Sequence, residues 1–173
     1  MNQERSFRPL AIALLTVSDT RTELTDTSGR LLADASRSAG HVVADQRIVP
    51  DDKYLIRAVV SKWIAEPDIQ VVISTGGTGI TGRDGTPEAL AVLFDKTLDG
   101  FGEVFRALSL QEIGTSTIQS RAVAGVANGT YLFCLPGSSG ACRLGFEQLI
   151  RPQLDYRTRP CNLAELLPRL LEA

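Results

Sequence analysis

The stretch VVISTGGTGITGRDGTPEAL, residues 71–90, decides how the rest of the chain is read. It opens as an apolar run, passes through five glycines and ends on Thr-Pro-Glu-Ala-Leu. A short apolar run closed by glycine predicts a strand buried on both faces, here over residues 69–75. Thr86 followed by Pro87 predicts a helix start, with the threonine hydroxyl as cap and proline at the first helical position. Glycine is the costliest residue to order, by about 0.5–1 kcal/mol relative to alanine in regular structure. So many glycines between a strand and a helix imply that something approaches the loop backbone closely.

The same alternation runs through the whole chain. Residues 10–17 (LAIALLTV) read as a strand, and residues 27–39 as a helix with Leu31, Leu32, Ala35 and Ala39 in register, stopped by Gly40. Residues 41–49 read as a second strand. Asp51 or Asp52 then caps a helix whose stripe is Ile56, Val59, Val60, Trp63 and Ile64, ended by Pro67. After the glycine loop, Phe101, Val104, Phe105 and Leu108 mark another helix, and residues 120–125 a further short one. The Asn128-Gly129 turn introduces a strand at 130–136, residues 141–150 are helical, and Pro168 breaks an amphipathic tail. This pattern predicts an α/β fold: a three-layer sandwich with a mainly parallel sheet flanked by helices. In such sheets ligands bind at the carboxyl ends of the strands. Four segments should meet there: Ser18-Asp19, Pro50-Asp51-Asp52, residues 76–85 and Pro136-Gly137-Ser138.

Composition narrows the chemistry. With 173 residues, 43% of them hydrophobic and 22% charged, the chain is long enough for one domain with a sizeable core and short for two. A single domain over residues 1–173 is expected, its first eight or so residues flexible. The net charge of −2 gives no basic field for nucleic acid or an anionic membrane, and no apolar run approaches a membrane span. The polar start MNQERSFRP is unlike a secretory signal, so a cytoplasmic protein is expected. Cys134, Cys142 and Cys161 form neither a disulfide frame nor a zinc motif, and one histidine, His41, excludes a multi-histidine metal site. Cys142 reads as a small buried hydrophobe, His41 as structural and Trp63 as core. Arg83 and Arg143 are candidate anion ligands beside the two glycine-containing loops.

Two nucleotide templates fail or fit poorly. A Walker loop needs a lysine, and none occurs between Lys62 and Lys96. Gly77, Gly79 and Gly82 do spell GxGxxG, with Asp99 about 20 residues on, which would suit an NAD(P)-dependent oxidoreductase. However, Arg83-Asp84-Gly85 intervene before the helix, and the loop follows the third strand where that fingerprint follows the first. What remains is a backbone cradle for phosphate or another oxyanion. Asp84 at its end would repel such a ligand unless a cation intervened, and Mg²⁺ shared with Asp51 or Asp52 resolves the conflict. The same aspartates would serve equally well as helix or turn caps.

The segment STGGTGITGRDGTPEAL resembles the TGGTG…D-x-TPEA signature of the MoaB/MogA molybdopterin-binding family. The likeness spans residues 10–162 and includes LTVSDTR, DTSG, IVPDD, GFGEVFR, SRAVAG and LPGSSGA. EIGTSTIQSRAVAG and PQLDYRTRPCN are similar to its shorter MoaB branch. The resemblance implies a trimer or hexamer and a molybdopterin site at the strand ends. Thr75, Gly76, Gly77, Thr78 and Gly79 would hold the pterin phosphate, and Ser18, Asp19, Pro136, Gly137 and Ser138 would line the pocket. Asp51 and Asp84 would support catalysis or Mg²⁺, with ATP as co-substrate in an adenylyl transfer to molybdopterin. A non-catalytic pterin-binding or scaffold role in the same pathway is the alternative. Gly85 stands where the family usually has valine.

Overall fold

The structure, a computed structural model, describes residues 5–172. Six strands form one sheet: β1 (Ala11–Val17), β2 (Val42–Val49), β3 (Val71–Thr75), β4 (Lys96–Thr97), β5 (Val123–Ala127) and β6 (Thr130–Leu135), in the order β2-β1-β3-β6-β5-β4. The pairs among β2, β1, β3 and β6 are parallel, while β5 runs antiparallel to both β6 and β4. The apolar runs exist because both sheet faces are covered. On one face Ile12, Leu14, Ile73 and Phe133 pack against α1 (Thr27–Ser38), α4 (Asp99–Ile113) and α5 (Ser139–Gly145) through Leu32, Phe105 and Cys142. On the other, Ala13, Leu15, Val72 and Leu132 meet α2 (Lys53–Ala65) and α3 (Thr86–Ala91) through Ile56, Val60, Trp63 and Leu90. This is the expected three-layer sandwich.

Beyond α5 the chain continues through a π-helical turn (Phe146–Ile150) into α6 (Arg151–Leu154), and α7 (Leu163–Leu166) leads to a 3-10 turn at Pro168. Two expectations are corrected. Residues 120–125 are not a helix; half of them, 123–125, belong to β5, which forms a hairpin with β6 across Asn128 (φ 46°) and Gly129 (φ 78°). Asn-Gly is the preferred sequence for such a turn, and a turn of this kind requires a strand before it as well as after it. Thr86 is also not a cap: Gly85 occupies that position, no side chain caps α3, and the Thr86 hydroxyl is buried.

Of the N-terminal segment expected to be flexible, residues 1–4 lie outside the described residues. Arg5 pairs with Glu165 at 2.7 Å, and the Arg8 guanidinium lies 3.9 Å from the centre of the Tyr156 ring. Residues 5–8 are thereby fastened to the C-terminal part of the fold.

Candidate functional site

The strand order reverses beside β1, which continues to β2 on one side and has β3 on the other. That reversal opens a crevice at the carboxyl ends of the parallel strands. All four expected segments meet there. Ser18 N donates to Val49 O at 2.9 Å, Asp51 N to Asp19 Oδ1 at 3.1 Å, and Gly76 N to Leu135 O at 3.1 Å. The Gly137 backbone is so near that a Cβ on it would sit 3.2 Å from Gly76 Cα.

The first two glycines of the loop are required by the fold around them. Gly76 has φ +96° and a Cβ there would meet Val17 O at 2.2 Å; Gly77 has φ +63° and a Cβ there would meet Thr86 Oγ1 at 2.2 Å and Asp51 Oδ2 at 2.7 Å. Left-handed backbone costs a residue with a side chain about 1–2 kcal/mol even without these overlaps. A Cβ on Gly82 meets nothing within 4 Å, whereas the third glycine of a dinucleotide fingerprint serves close helix–strand packing. The GxGxxG spacing therefore lacks its physical basis.

Several residues expected to touch ligand have structural tasks. Gly76 gives its N–H to the sheet. Thr75 is buried, and its hydroxyl donates to Pro136 O at 3.0 Å and lies 3.0 Å from Cys142 Sγ. Ser138 Oγ caps α5 by accepting from Ala141 N at 3.2 Å, and Ser18 Oγ accepts from the N–H groups of Thr20 and Arg21. Thr78 is buried and its carbonyl is held by Arg121. Asp19 is tied by Arg83 at 2.7 Å to each carboxylate oxygen.

The acidic residues separate into two kinds. Asp52 is a helix cap, accepting from Tyr54 N and Leu55 N at 2.8 and 3.0 Å, so Asp51 is the one that faces the crevice. Asp84 is also a clamp: it accepts the Thr81 hydroxyl at 2.6 Å and the Thr81 N–H at 2.9 Å. The Thr81 hydroxyl, more than any other group, holds the Asp84 carboxyl below its ordinary range. Among the described residues Asp51 accepts one bond, from Gly85 N at 3.3 Å. Burial pushes its carboxyl upward, with the charges of Asp84 and Asp19 adding to the effect and the Gly85 N–H opposing it. Both Thr81 bonds fall on Asp84 Oδ2, so Asp84 is held more firmly than Asp51.

Reading the sequence missed Arg121. Its guanidinium donates to Thr78 O (3.2 Å) and Asp84 O (2.9 Å) and pairs with Glu88, bracing the loop at both ends. The available signal was its place just before a strand that the Asn-Gly turn implied. Asp26, also missed, is buried, caps α1 and accepts Thr16 Oγ1 at 2.6 Å. Arg143 lies away from the crevice, in a groove between α1 and α5 with Arg30, Asp34 and Glu147. Cys142 is a buried thiol pushed up to about 11, chiefly by burial, and His41 accepts the Leu10 N–H at 3.2 Å. Trp63 is core, its indole donating to Asp45.

A concavity of about 480 Å³ elsewhere, walled by Phe101, Val104, Phe133, Leu149 and Leu163, is mostly apolar and has no titratable side chain in its lining. Among the described residues no three His, Cys, Asp or Glu side chains gather to hold a metal, and no helix is long and apolar enough to cross a membrane.

Known proteins share this fold and sequence. The family described as "Probable molybdopterin binding domain" matches residues 13–156. Molybdenum cofactor biosynthesis protein B of Escherichia coli strain K12 is 61% identical over 156 residues, covering 90% of this chain and 92% of that protein. The protein of the same name from Bacillus cereus is 48% identical over 158 residues, covering 91% and 94%. A crystal structure of a molybdenum cofactor biosynthesis protein B superposes with a TM-score of 0.84 at 46% identity, covering 87% of this chain and 94% of that one. A shared fold, a shared family profile and identity at this level over nine-tenths of the length lead to one conclusion: the chain belongs to the molybdenum cofactor biosynthesis protein B family.

Proposed function

We propose that the crevice binds molybdopterin by its phosphate and transfers an adenylyl group to it from ATP. The observation that supports this is one under-committed carboxylate, Asp51, set against a glycine turn whose Gly77 and Gly79 are partly exposed. The loop presents its backbone around Gly77, Thr78 and Gly79 to the pterin phosphate, while Ser18, Asp19, Pro136, Gly137 and Ser138 wall the crevice. An oxygen of that phosphate attacks the α-phosphorus of ATP; one P–O bond forms, the bond to the bridging oxygen breaks, and pyrophosphate leaves. No protein nucleophile is needed, which suits a site whose cysteine is buried and protonated.

The donor set fits Mg²⁺ arriving with ATP, since this ion takes one or two carboxylates and otherwise phosphate and water oxygens. When bound it neutralises charge on the transferring phosphoryl group. Asp51 is the residue that would hold it, with Asp84 shaping the loop beside it. Arg121 keeps the loop closed against the crevice wall.

The reading includes assembly into a trimer or hexamer, supported by the exposed Val104, Leu110 and Ile113 on α4 and Ile118 after it. It also includes a cytoplasmic setting, consistent with three unpaired cysteines. Light scattering checks the first: a monomer at micromolar concentration counts against it. The engagement of Asp84 favours a second reading, a pterin-binding protein without turnover. Incubation with molybdopterin, ATP and Mg²⁺ separates the two. Pyrophosphate release supports the transferase, and binding without release supports the other.

A further inference from the structure

Asp51 is the least supported carboxylate of the crevice. Asp19 accepts from a guanidinium, Asp52 from two backbone N–H groups and Asp84 from an N–H and a hydroxyl, whereas Asp51 accepts only the long bond from Gly85 N among the described residues. Beside it stands a donor that donates to nothing. Thr86 is 0% exposed, and its Oγ1 has no hydrogen-bond partner. The same Gly77 Cβ position that meets Thr86 Oγ1 at 2.2 Å meets Asp51 Oδ2 at 2.7 Å, so hydroxyl and carboxylate oxygen crowd the same side of the Gly77 backbone. Of the three other orphaned atoms among the described residues, Ser36 Oγ and His41 Nε2 lie at the opposite end of the sheet near Leu10, and Ser120 Oγ lies ahead of β5.

A buried hydroxyl without a partner destabilises the fold, and valine would fill the same shape without it. Hydrogen bonds of a catalytic group are often long or unmade in the free protein and tighten when substrate binds. We propose that Thr86 is a positioning residue for Asp51, donating its hydroxyl to Asp51 Oδ2 when a ligand phosphate fills the Gly77 turn. Gly85 N–H then holds Oδ1, the Thr86 hydroxyl holds Oδ2, and the carboxylate is fixed toward the transferring phosphoryl group. Thr86 acts through Asp51 and does not touch substrate. The inference rests on the adenylyl-transfer reading.

The test compares the parent, Thr86→Val and Thr86→Ser by pyrophosphate release with molybdopterin and Mg-ATP, and by melting temperature without ligand. Thr86→Val is expected to melt no lower than the parent, to lose about tenfold in kcat, and to keep KM for molybdopterin within about twofold. Thr86→Ser, which retains the hydroxyl, should recover most of the rate. Parental kcat in Thr86→Val overturns the inference alone, as does a Thr86→Ser variant as slow as valine. A Thr86→Val variant that melts well below the parent shows a structural hydroxyl and overturns it too. A parent that releases no pyrophosphate overturns the proposed function, and this inference falls with it.

Discussion

The loop after β2 and the loop after β3 each bring an aspartate to the crevice, and the two are held in opposite ways. Asp84 lies in a web of donors within its own loop, so its charge is favoured and its position fixed. Asp51 has one long bond and a desolvated carboxyl, so its charge is disfavoured and its oxygens are under-used. A carboxylate already satisfied by its own loop has little to offer a ligand; one kept short of donors interacts strongly with whatever arrives. The first shapes the site, and the second is available for chemistry.

Gly77→Val breaks both sides of that contrast at once. Its side chain would occupy the place of Thr86 Oγ1 and Asp51 Oδ2 on a left-handed backbone, so molybdopterin affinity should fall by about 10²-fold or more. Calorimetric titration reads this directly, and parental affinity would end the phosphate-cradle assignment. Asp51→Asn is the next largest. Adenylyl transfer should drop by about 10²-fold while molybdopterin still binds, as when a positioned charge is lost without loss of shape. Asp84→Asn should divide the other way, with affinity weakened roughly tenfold and saturated turnover within a few-fold of the parent, because the loop relaxes. If the two variants behave alike, the two aspartates share one role and the contrast is wrong.

The smallest effect is on stability, and its sign differs between the two positions. Asp84 has a lowered pKa in the fold, so it contributes stability above the ordinary carboxylate range that is lost as pH falls through its folded value. Asp51 has a raised pKa, so its charge costs stability at neutral pH and the cost disappears as pH falls through that raised value. At pH 7 Asp84→Asn should melt a few degrees lower than the parent and Asp51→Asn no lower, or slightly higher. Below the carboxylate range both differences should shrink toward zero. Thermal melts over a pH series check both signs together.

The glycine loop, the two-faced apolar strands and the meeting of four loops were legible because each rests on local pattern. Strand β5 was not. Its segment RAVAGVA is built of small residues with no strand signature, and its pairing comes from a hairpin whose turn alone was visible. Strand β4 is two residues long and exists only as the edge partner of β5. At the site, residue types were readable and their tasks were not. Nothing in the sequence separates the engaged Asp84 from the under-held Asp51, since that depends on Thr81, Gly85 and Thr86 arriving at particular distances. Arg121 was missed for a like reason: its three partners lie 33 to 43 residues away along the chain.

The sheet order has a consequence for how the protein is made. Strand β6 is the last strand in sequence yet lies inside the sheet, between β3 and β5. Gly76 N and Thr75 Oγ1 are fastened to Leu135 and Pro136 at its end. During synthesis β1, β2 and β3 can pair early, but β3 presents a bare, sticky edge until residues 130–135 have left the ribosome. The binding loop therefore acquires its shape only in the closing steps of folding. A chain interrupted before β6 has no partial site to work with, and ligand binding by a newly made molecule reports that its sheet has been completed.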